Sequence, residues 1–321
     1  MVVVGRYKGN PILKPNETHP WEAKAAFNGC VIKDRGKFHI VYRAMSYDQL
    51  HRKIKMSVSS IGYAVSKDGL NFTNRRALIR PELDWDIFGC EDPRITKING
   101  KYFIFYTALS NYPPSAEHIK SGVAITKNFK DLEKHQVTTF NSKAMALFPK
   151  KISGKIVGIL TVNTDMPPSK ICIIQFDKEE DIWSKIYWDF WKLSLDDYVV
   201  HLSRSEKDQV EVGAPPIKTK HGWLLIYSYI KNYLSPPPSF GIEAALLDLK
   251  DPTKIIGSTT NPLLVPKTEY ELYGNVNNVV FPSGAIVEGD RLLIYYGAAD
   301  TTCCVAMCDL KELLEEILNS S

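Results

Sequence analysis

Acidic, amide and guanidinium side chains stand at the ends of several apolar segments of this sequence, where they could do chemistry together. In chain order they are Asn28, Arg43, Glu91-Asp92-Pro93-Arg94, Glu211, Asn277, Asn278 and Asp300. Such groups bind sugar hydroxyls through hydrogen bonds, and paired carboxylates can act as general acid and base. The histidines and cysteines show no spacing typical of a metal site. These residues favour a carbohydrate ligand and imply no metal, nucleotide or redox cofactor.

The same carboxylates also have purely structural interpretations. Glu91 and Asp92 could cap a turn and pair with Arg94. Glu211 follows the polar run SEKDQ, where a solvated surface carboxylate is the ordinary expectation. Asp300 ends the segment GAAD, where a turn is the default. Position along the chain leaves both interpretations open for each residue.

The elements that would position these side chains follow from a sequence motif that occurs five times. A glycine, usually followed by a basic or polar residue, leads into an apolar and aromatic strand. The five copies are GKFHIVYRA (36–44), GKYFIFYTA (100–108), GKIVGILTV (154–162), GWLLIYSY (222–229) and GDRLLIYYGAA (289–299). An extended segment precedes each glycine and another strand follows each copy. Each copy therefore predicts a β-hairpin extended by a third strand, with room for a fourth.

Five such units predict an all-β fold, a five-bladed β-propeller, whose inner strands bring the candidate residues to one central channel. A sandwich or a barrel is the alternative, but neither requires a sequence motif that is repeated five times. Only the C-terminal segment LKELLEEILNSS has helical spacing, and it predicts a short terminal helix. No Ser/Gly-rich linker interrupts the repeats. We therefore expect one catalytic domain over residues 1–321.

Composition excludes several classes of protein. The chain has 321 residues, 44% of them hydrophobic and 24% charged, which is typical of a soluble globular protein. Its net charge of +4 is too near balance to favour a nucleic-acid partner. Neither an apolar run of roughly 18 residues nor a signal peptide is evident, so no membrane partner is expected. The six cysteines form no paired CxxC motif, which favours a reducing cytoplasm. The oligomeric state stays open.

Five segments together resemble glycoside hydrolase family 130, the mannoside phosphorylases and β-mannosidases. They are YRA (42–44), CEDPRIT (90–96), ALFPKKISGK (146–155), VGAPPIKTKHGWLLIY (212–227) and NVVFPSGAIVEGDRLLIYYGAAD (278–300). The resemblance covers almost the whole chain, and it implies a five-bladed propeller that cleaves β-mannosides with inversion. It also implies that Asp92 is the proton donor. The residues that it implies hold the sugar beside the cleaved bond are Asn28, Arg43, Arg94 and Asp300.

The sequence departs from the family's phosphorylases at three cationic positions that hold phosphate. Thr161-Val162-Asn163 stands where an Arg is expected, Glu211 replaces a Lys, and Ser228 replaces a His. This pattern resembles the family's hydrolytic branch, which acts on β-1,2-linked mannosides and uses glutamates at what look like the positions of Glu211 and Glu271. The resemblance thus implies an inverting β-1,2-mannosidase. Glu211 or Glu271 would activate water, and Asp92 would deliver the proton or only bind substrate.

Two other functions stay open from the sequence. The first is a β-mannoside phosphorylase that makes mannose 1-phosphate with phosphate ligands from elsewhere, for which Lys143, Lys218, Arg204 and Lys231 are the candidates. The second is a sugar-binding propeller without catalysis. Consumption of phosphate separates the first from a hydrolase, and binding without turnover identifies the second. All three functions share a β-mannoside oligosaccharide as the expected partner.

Overall fold

A computed structural model describes residues 2–320 of the chain, and its architecture is mostly β. Strand β1 (Gly5–Arg6) comes first. Unit 1 contains β2 (Ala25–Asp34), β3 (Lys37–Met45), the inserted hairpin β4 (Gln49–His51) and β5 (Ile54–Met56), β6 (Ser59–Ser66) and β7 (Thr73–Ile79). Unit 2 contains β8 (Gly89–Ile98), β9 (Lys101–Leu109), β10 (Ile119–Thr126) and β11 (Glu133–Gln136). Within each unit, strands that follow one another along the sheet pair antiparallel.

The second half of the chain repeats this pattern three times. Unit 3 contains β12 (Ser142–Leu147), β13 (Ile156–Val162), β14 (Lys170–Phe176), helix α1 (Lys185–Leu193) and β15 (Val199–Val200). Unit 4 contains β16 (Gln209–Val212), β17 (Ile217–Lys218), β18 (Trp223–Lys231), β19 (Ser239–Leu247) and β20 (Ile255–Ser258). After the short helix α2 (Glu269–Leu272), unit 5 contains β21 (Val280–Glu288), β22 (Arg291–Ala298) and β23 (Thr302–Asp309). Helix α3 (Leu310–Asn319) ends the described chain.

The five units contact one another in cyclic order. Contacts join β2 to β8, β8 to β12, β13 to β16, β19 to β21, and β21 back to β2. A parallel bridge between Ala26 and Thr302 also ties β2 to β23, and β1 pairs antiparallel with the same edge of β23, opposite β22. The first and last parts of the chain therefore meet in the same region of the molecule.

One hydrophobic core lies between each pair of neighbouring units, which gives five cores in all. Alternate residues of a strand face opposite sides of its sheet. In β13, for example, Val157 and Ile159 pack toward unit 4, whereas Ile156, Leu160 and Val162 pack toward unit 2. Because both faces of these sheets are buried, their strands are almost continuously apolar. This explains the apolar sequence motif that recurs along the chain.

Of the three α-helices in residues 2–320, one confirms a prediction, and α1 and the short α2 were not predicted. Helix α3 confirms the predicted C-terminal helix: the Asp309 side chain caps it by accepting a hydrogen bond from the N–H of Glu312, and Leu313, Leu314 and Ile317 are buried. Helix α1 was not predicted from the sequence, although Trp188 and Trp191 of this helix are buried against unit 3. In the described part of the chain, no helix is long and apolar enough to cross a membrane.

Candidate active site

A polar pocket of about 370 Å³ opens where the first strands of the units begin. Much of its wall comes from one repeated position in the first strands, at or one residue before the point where the regular pairing shifts or ends. These residues and their partners on the neighbouring strand are Phe27–Arg43, Glu91–Thr107, Lys143–Thr161, Glu211–Ser228 and Phe281–Gly297. Side chains that are far apart in sequence are therefore equivalent in the fold.

A β-bulge follows this position in four of the five units. The register shifts after Phe27 in β2, after Glu91 in β8, after Lys143 in β12 and after Pro282 in β21. Bulges bend a strand and change the direction of a side chain, and they are common beside active sites. Two of the predicted residues lie in these bulges.

Asn28 and Asp92 follow the shifted positions directly and have left-handed backbone angles, with φ of 49° and 47°. Asp300 has the same type of conformation, with φ of 48°. Asn and Asp tolerate this region better than most residues other than glycine. The strained backbone is consistent with a functional constraint at these three positions.

Arg43 holds one end of the pocket together. Its guanidinium forms a short ion pair with Glu91, lies 3.6 Å from Asp92 Oδ1 (Nη1 to oxygen) and stacks over the ring of Phe27 at 5.0 Å. The amide of Asn28 donates to the same Asp92 oxygen at 2.7 Å. Burial opposes ionisation of Asp92, but Arg43 and the Asn28 hydrogen bond outweigh it, so the pKa of Asp92 lies below its ordinary value. Asp92 is therefore a carboxylate at neutral pH.

The other two acids of this end have raised pKa values. Burial raises the pKa of Glu91 despite the attraction of Arg43. Burial also raises the pKa of Asp300 to about 6, again against the charge of Arg43 and with a contribution from the nearby Asp92. Acids that share one cation thus differ in their affinity for a proton, which is useful for proton transfer.

Glu211 dominates the opposite end of the pocket and is 2% exposed. The side-chain amide of Gln209 donates to Glu211 Oε1 at 2.5 Å, and Lys143 Nζ lies 3.1 Å from Oε2. Burial favours neutral Lys143, but Glu211 and Asp165 more than offset it and raise the Lys143 pKa. Lys143 is therefore a cation that is already paired with a carboxylate.

The pocket carries more negative than positive charge. Among the described residues that line it, the carboxylates are Glu91, Asp92, Asp165, Glu211 and Asp300, and the cations are Arg43 and Lys143. Both cations are engaged by these carboxylates. Within residues 2–320, no group of His, Cys, Asp and Glu side chains is arranged to hold a metal. Such a pocket suits a neutral polyhydroxyl ligand better than an anion.

Five of the predicted residues, Asn28, Arg43, Asp92, Glu211 and Asp300, line this one pocket. The structure brings them together from units 1, 2 and 4 and from the turn between the last two strands of unit 5.

Arg94 does not line the pocket, contrary to the prediction. It is fully buried, and its guanidinium donates to the carbonyl oxygens of Gly213 (2.5 Å), Val212 (3.3 Å) and Asp92 (2.9 Å). Arg94 therefore links unit 2 to unit 4 and supports the backbone of Asp92 beside the pocket. The bulge that turns Asp92 toward the ligand turns Arg94 into the protein interior.

The prediction that Glu271 lies in the pocket is wrong. Glu271 is fully buried in α2, where its carboxylate accepts hydrogen bonds from the Arg6 guanidinium (2.7 and 2.8 Å), the Tyr296 hydroxyl (2.8 Å) and the N–H groups of Lys267 and Thr268. The sequence Thr268–Glu271 forms a capping box, in which the glutamate satisfies free N–H groups at a helix start. All the contacts of this carboxylate are structural.

Asn277 and Asn278 also lie outside the pocket. Both are exposed in the loop before β21, where Asn277 Oδ1 accepts a hydrogen bond from the N–H of Gly274. Their apolar neighbours Val276 and Val279 line the pocket instead. The strand begins at Val280, later than the sequence pattern indicated, and this moves the two asparagines onto a loop.

Sequence reasoning did not assign Gln209, Asp165 or Tyr233 to the site, although all three line the pocket. Gln209 could have been found, because residues i and i+2 of a strand face the same side and Gln209 is two positions before Glu211. Asp165 and Tyr233 come from two different loops and meet at 3.3 Å between carboxylate and hydroxyl, which no local pattern shows.

We expect the Asp300→Asn variant to gain stability relative to the natural protein as pH rises. An unfolded Asp has a pKa of about 3.9, whereas the folded pKa of Asp300 is about 6. The folded state therefore binds this proton more tightly, and the stability contributed by Asp300 is full below the unfolded pKa and is lost as pH rises through the folded pKa. Thermal unfolding of both proteins from pH 4 to pH 8 measures the Tm difference. A difference that does not change with pH would contradict this account.

Comparisons with known proteins identify the family of this chain. A family model described as beta-1,4-mannooligosaccharide phosphorylase, the glycoside hydrolase 130 model, matches residues 5–319. The 1,2-beta-oligomannan phosphorylase of Thermoanaerobacter sp. (strain X514) is 34% identical over 322 residues, which cover 98% of this chain and 99% of that protein. The beta-1,2-mannobiose phosphorylase of the same organism is 35% identical over 320 residues, 96% of this chain and 98% of that protein.

A solved structure extends the likeness to three dimensions. The beta-1,2-mannobiose phosphorylase from Listeria innocua, in complex with beta-1,2-mannobiose, has a TM-score of 0.81 and 27% identity to this chain, covering 98% of this chain and 99% of that one. The family match and these relatives cover almost the whole chain. The chain therefore belongs to glycoside hydrolase family 130, whose enzymes act on mannosides.

Proposed function

We propose that the five units are the blades of a five-bladed β-propeller and that the pocket at its axis is the active site. The support is the cyclic order of contacts and the presence of one hydrophobic core between each pair of neighbouring units. A propeller brings the first strands of all blades to one axis. This accounts for a pocket built from the same strand position in successive units.

The reaction that we propose is hydrolysis of β-1,2-linked mannosides with inversion. One observation carries this proposal: the buried carboxylate of Glu211 occupies the position at which the resemblance to phosphorylases leads one to expect a phosphate-binding lysine. A carboxylate can accept a proton from water, whereas it repels a phosphate dianion. Lys143 is near, but its charge is already matched by Glu211 at 3.1 Å.

The other two expected phosphate-binding positions also hold no cation. Thr161, Val162 and Ser228 are at most 1% exposed and uncharged. At an effective dielectric of about 20, two like unit charges about 4 Å apart repel by about 4 kcal/mol. That energy corresponds to roughly a thousandfold loss of affinity. Phosphate bound beside Glu211 would need a compensating cation, whereas water is uncharged and would not.

The proposed mechanism uses the two ends of the pocket. Glu211 accepts a proton from a water molecule, the water oxygen bonds to the anomeric carbon, and the bond from that carbon to the glycosidic oxygen breaks. Asp92, which is a carboxylate in the free pocket, takes up a proton from solvent and delivers it to the leaving oxygen, directly or through a sugar hydroxyl. Asn28, Arg43 and Asp300 surround Asp92 and can bind the sugar hydroxyls there.

Phosphorolysis is the second candidate, and the comparisons favour it. The relatives at 34% and 35% identity are both named as phosphorylases of 1,2-linked mannosides. Of the four cations considered from the sequence as substitute phosphate ligands, Lys143 lines the pocket. Arg204 pairs with Glu243, and Lys218 lies over the ring of Trp223. A phosphorylase would therefore need Lys143 to exchange Glu211 for phosphate.

Incubation of the protein with β-1,2-mannobiose in phosphate-free buffer is expected to release two mannose molecules. Early in the reaction, NMR should show α-mannose from the cleaved end, because inversion of a β-linkage gives the α-anomer. Added phosphate should yield no mannose 1-phosphate. Cleavage that requires phosphate would establish phosphorolysis instead, and saturable binding of the disaccharide without turnover would identify a sugar-binding protein.

A further inference from the structure

Gln209 is the second buried polar residue at the Glu211 end of the pocket, and it is 1% exposed. It lies in β16 two residues before Glu211, so both side chains project from the same face of the strand. Its amide nitrogen donates to Glu211 Oε1 at 2.5 Å. This hydrogen bond fixes one carboxylate oxygen and thereby determines where the other one points.

The remaining oxygen of each side chain is a buried acceptor. Within the described residues, neither Gln209 Oε1 nor Glu211 Oε2 receives a hydrogen bond, and Oε2 has only the charge of Lys143 beside it. Leaving buried acceptors unpaired is costly, which makes each such atom informative. Both residues line the pocket, so a small shift of either side chain brings these oxygens, which are themselves almost fully buried, to a ligand or a water molecule in it.

A water molecule matches this pair of acceptors. It has two O–H donors, and a buried water normally makes two to four hydrogen bonds to polar groups. If both hydrogens are held by acceptors, the lone pairs on the oxygen face away from them and are free to attack an electrophile. A carboxylate as one of the two acceptors is the base that removes the proton.

We propose that Gln209 is a positioning residue that orients Glu211 and, through its own Oε1, holds the reacting water against Glu211 Oε2. This inference rests on the proposed hydrolysis. In the reaction step, the water donates one proton to Glu211 Oε2 while its oxygen bonds to the anomeric carbon, and the glycosidic oxygen leaves with the proton that Asp92 provides. The hydrogen that points at Gln209 stays on the new hydroxyl group.

We expect the Gln209→Leu variant to lower kcat by about 10- to 100-fold with little change in KM, because a misplaced base slows the chemical step more than substrate binding. Gln136→Leu is the matched control, since Gln136 also donates a side-chain hydrogen bond, to the carbonyl oxygen of Thr138, but lies outside the pocket lining. Unchanged kcat in Gln209→Leu, or an increase confined to KM, would overturn the inference.

A second variant retains the size and polarity of the side chain in case Gln209→Leu does not fold. In Gln209→Glu, residues 209 and 211 both carry a carboxyl group. Repulsion between the two carboxylates makes the pair bind a proton more tightly. The acidic limb of the profile of kcat/KM against pH is then expected to move to higher pH. The charged and titratable groups around the pair, Lys143, Asp165, Arg94 and Tyr233, are retained in this variant. An unshifted acidic limb would contradict contact between residue 209 and the base.

A double variant separates this inference from the proposed function. If Gln209 acts through Glu211, the loss caused by Gln209→Leu should disappear when Glu211 is already Gln, because the two effects are then not additive. A loss that persists in full in the double variant would show that Gln209 acts elsewhere. Full activity of Glu211→Gln alone would instead overturn the hydrolytic mechanism itself.

Discussion

Glu211→Gln is expected to lower kcat for β-1,2-mannobiose hydrolysis by about 10²–10⁴-fold, the usual contribution of a general base. The amide has nearly the same shape as the carboxylate, so Gln209 and Lys143 keep their neighbour while the acceptor for the water proton is lost. Lys143 loses its ion pair with Glu211 but keeps the charge of Asp165 nearby, so Tm should fall only slightly. Initial rates of mannose release and thermal unfolding of the same preparation measure both effects.

Glu271→Gln is the matched control, because it makes the same chemical change in a buried glutamate that lies outside the pocket. Its carboxylate accepts two hydrogen bonds from Arg6 and one from the Tyr296 hydroxyl. Loss of this charge weakens a partly buried ion pair, so Tm should fall by several degrees while kcat changes little. If Glu211→Gln behaves like Glu271→Gln, with lower Tm and normal kcat, Glu211 is structural.

Asp92→Asn is the second substitution with a large expected effect, a loss of about 10²–10⁴-fold in kcat/KM on β-1,2-mannobiose. The asparagine can still accept the hydrogen bond from Asn28, but it removes one of the two charges that Arg43 faces and cannot supply a proton to the leaving oxygen. Asp248→Asn, in an exposed turn where the side chain accepts from the N–H groups of Lys250 and Asp251, is the control.

The leaving group distinguishes the two roles open to Asp92. A 4-nitrophenolate leaving group needs little protonation, so with an aryl β-mannoside the Asp92→Asn defect should become much smaller if Asp92 provides the proton. If Asp92 only binds the sugar, KM rises by a similar factor with both substrates and kcat is preserved. The second outcome would assign proton delivery to another acid of the pocket, and Asp300 would be the first to test because its pKa is raised to about 6.

The arrangement of the site explains why charge, and not shape, is central to its chemistry. Glu211 replaces a cation that phosphorolysis would use, and Lys143 from the neighbouring unit neutralises it. The ion pair occupies Lys143, so neither cation of the pocket is free of a carboxylate partner. Under the proposed hydrolysis, relatives that are about one third identical over their full length have the same fold and a different second substrate.

Much of this protein is determined by local sequence. The five apolar motifs predict strands, because a sheet that is buried on both faces needs continuously apolar strands. The structure has a strand at each of the five motifs. The terminal helix follows from its apolar spacing and its Asp309 cap. Asn28, Asp92 and Asp300 belong to residue types that tolerate left-handed backbone angles, and their positions at strand ends were sufficient to predict that they line one pocket.

Only the tertiary structure distinguished Glu211 from Glu271, since each glutamate precedes an apolar strand and looks equally exposed in the sequence. The difference comes from groups that approach from other units: Lys143 of β12 beside Glu211, and Arg6 of the N-terminal strand beside Glu271. Such pairs depend on how the five units pack against one another, which brings Arg6 to Glu271 across 265 positions of sequence. Local patterns record the preferences of one segment, whereas the role of a buried carboxylate depends on which charge the fold places next to it.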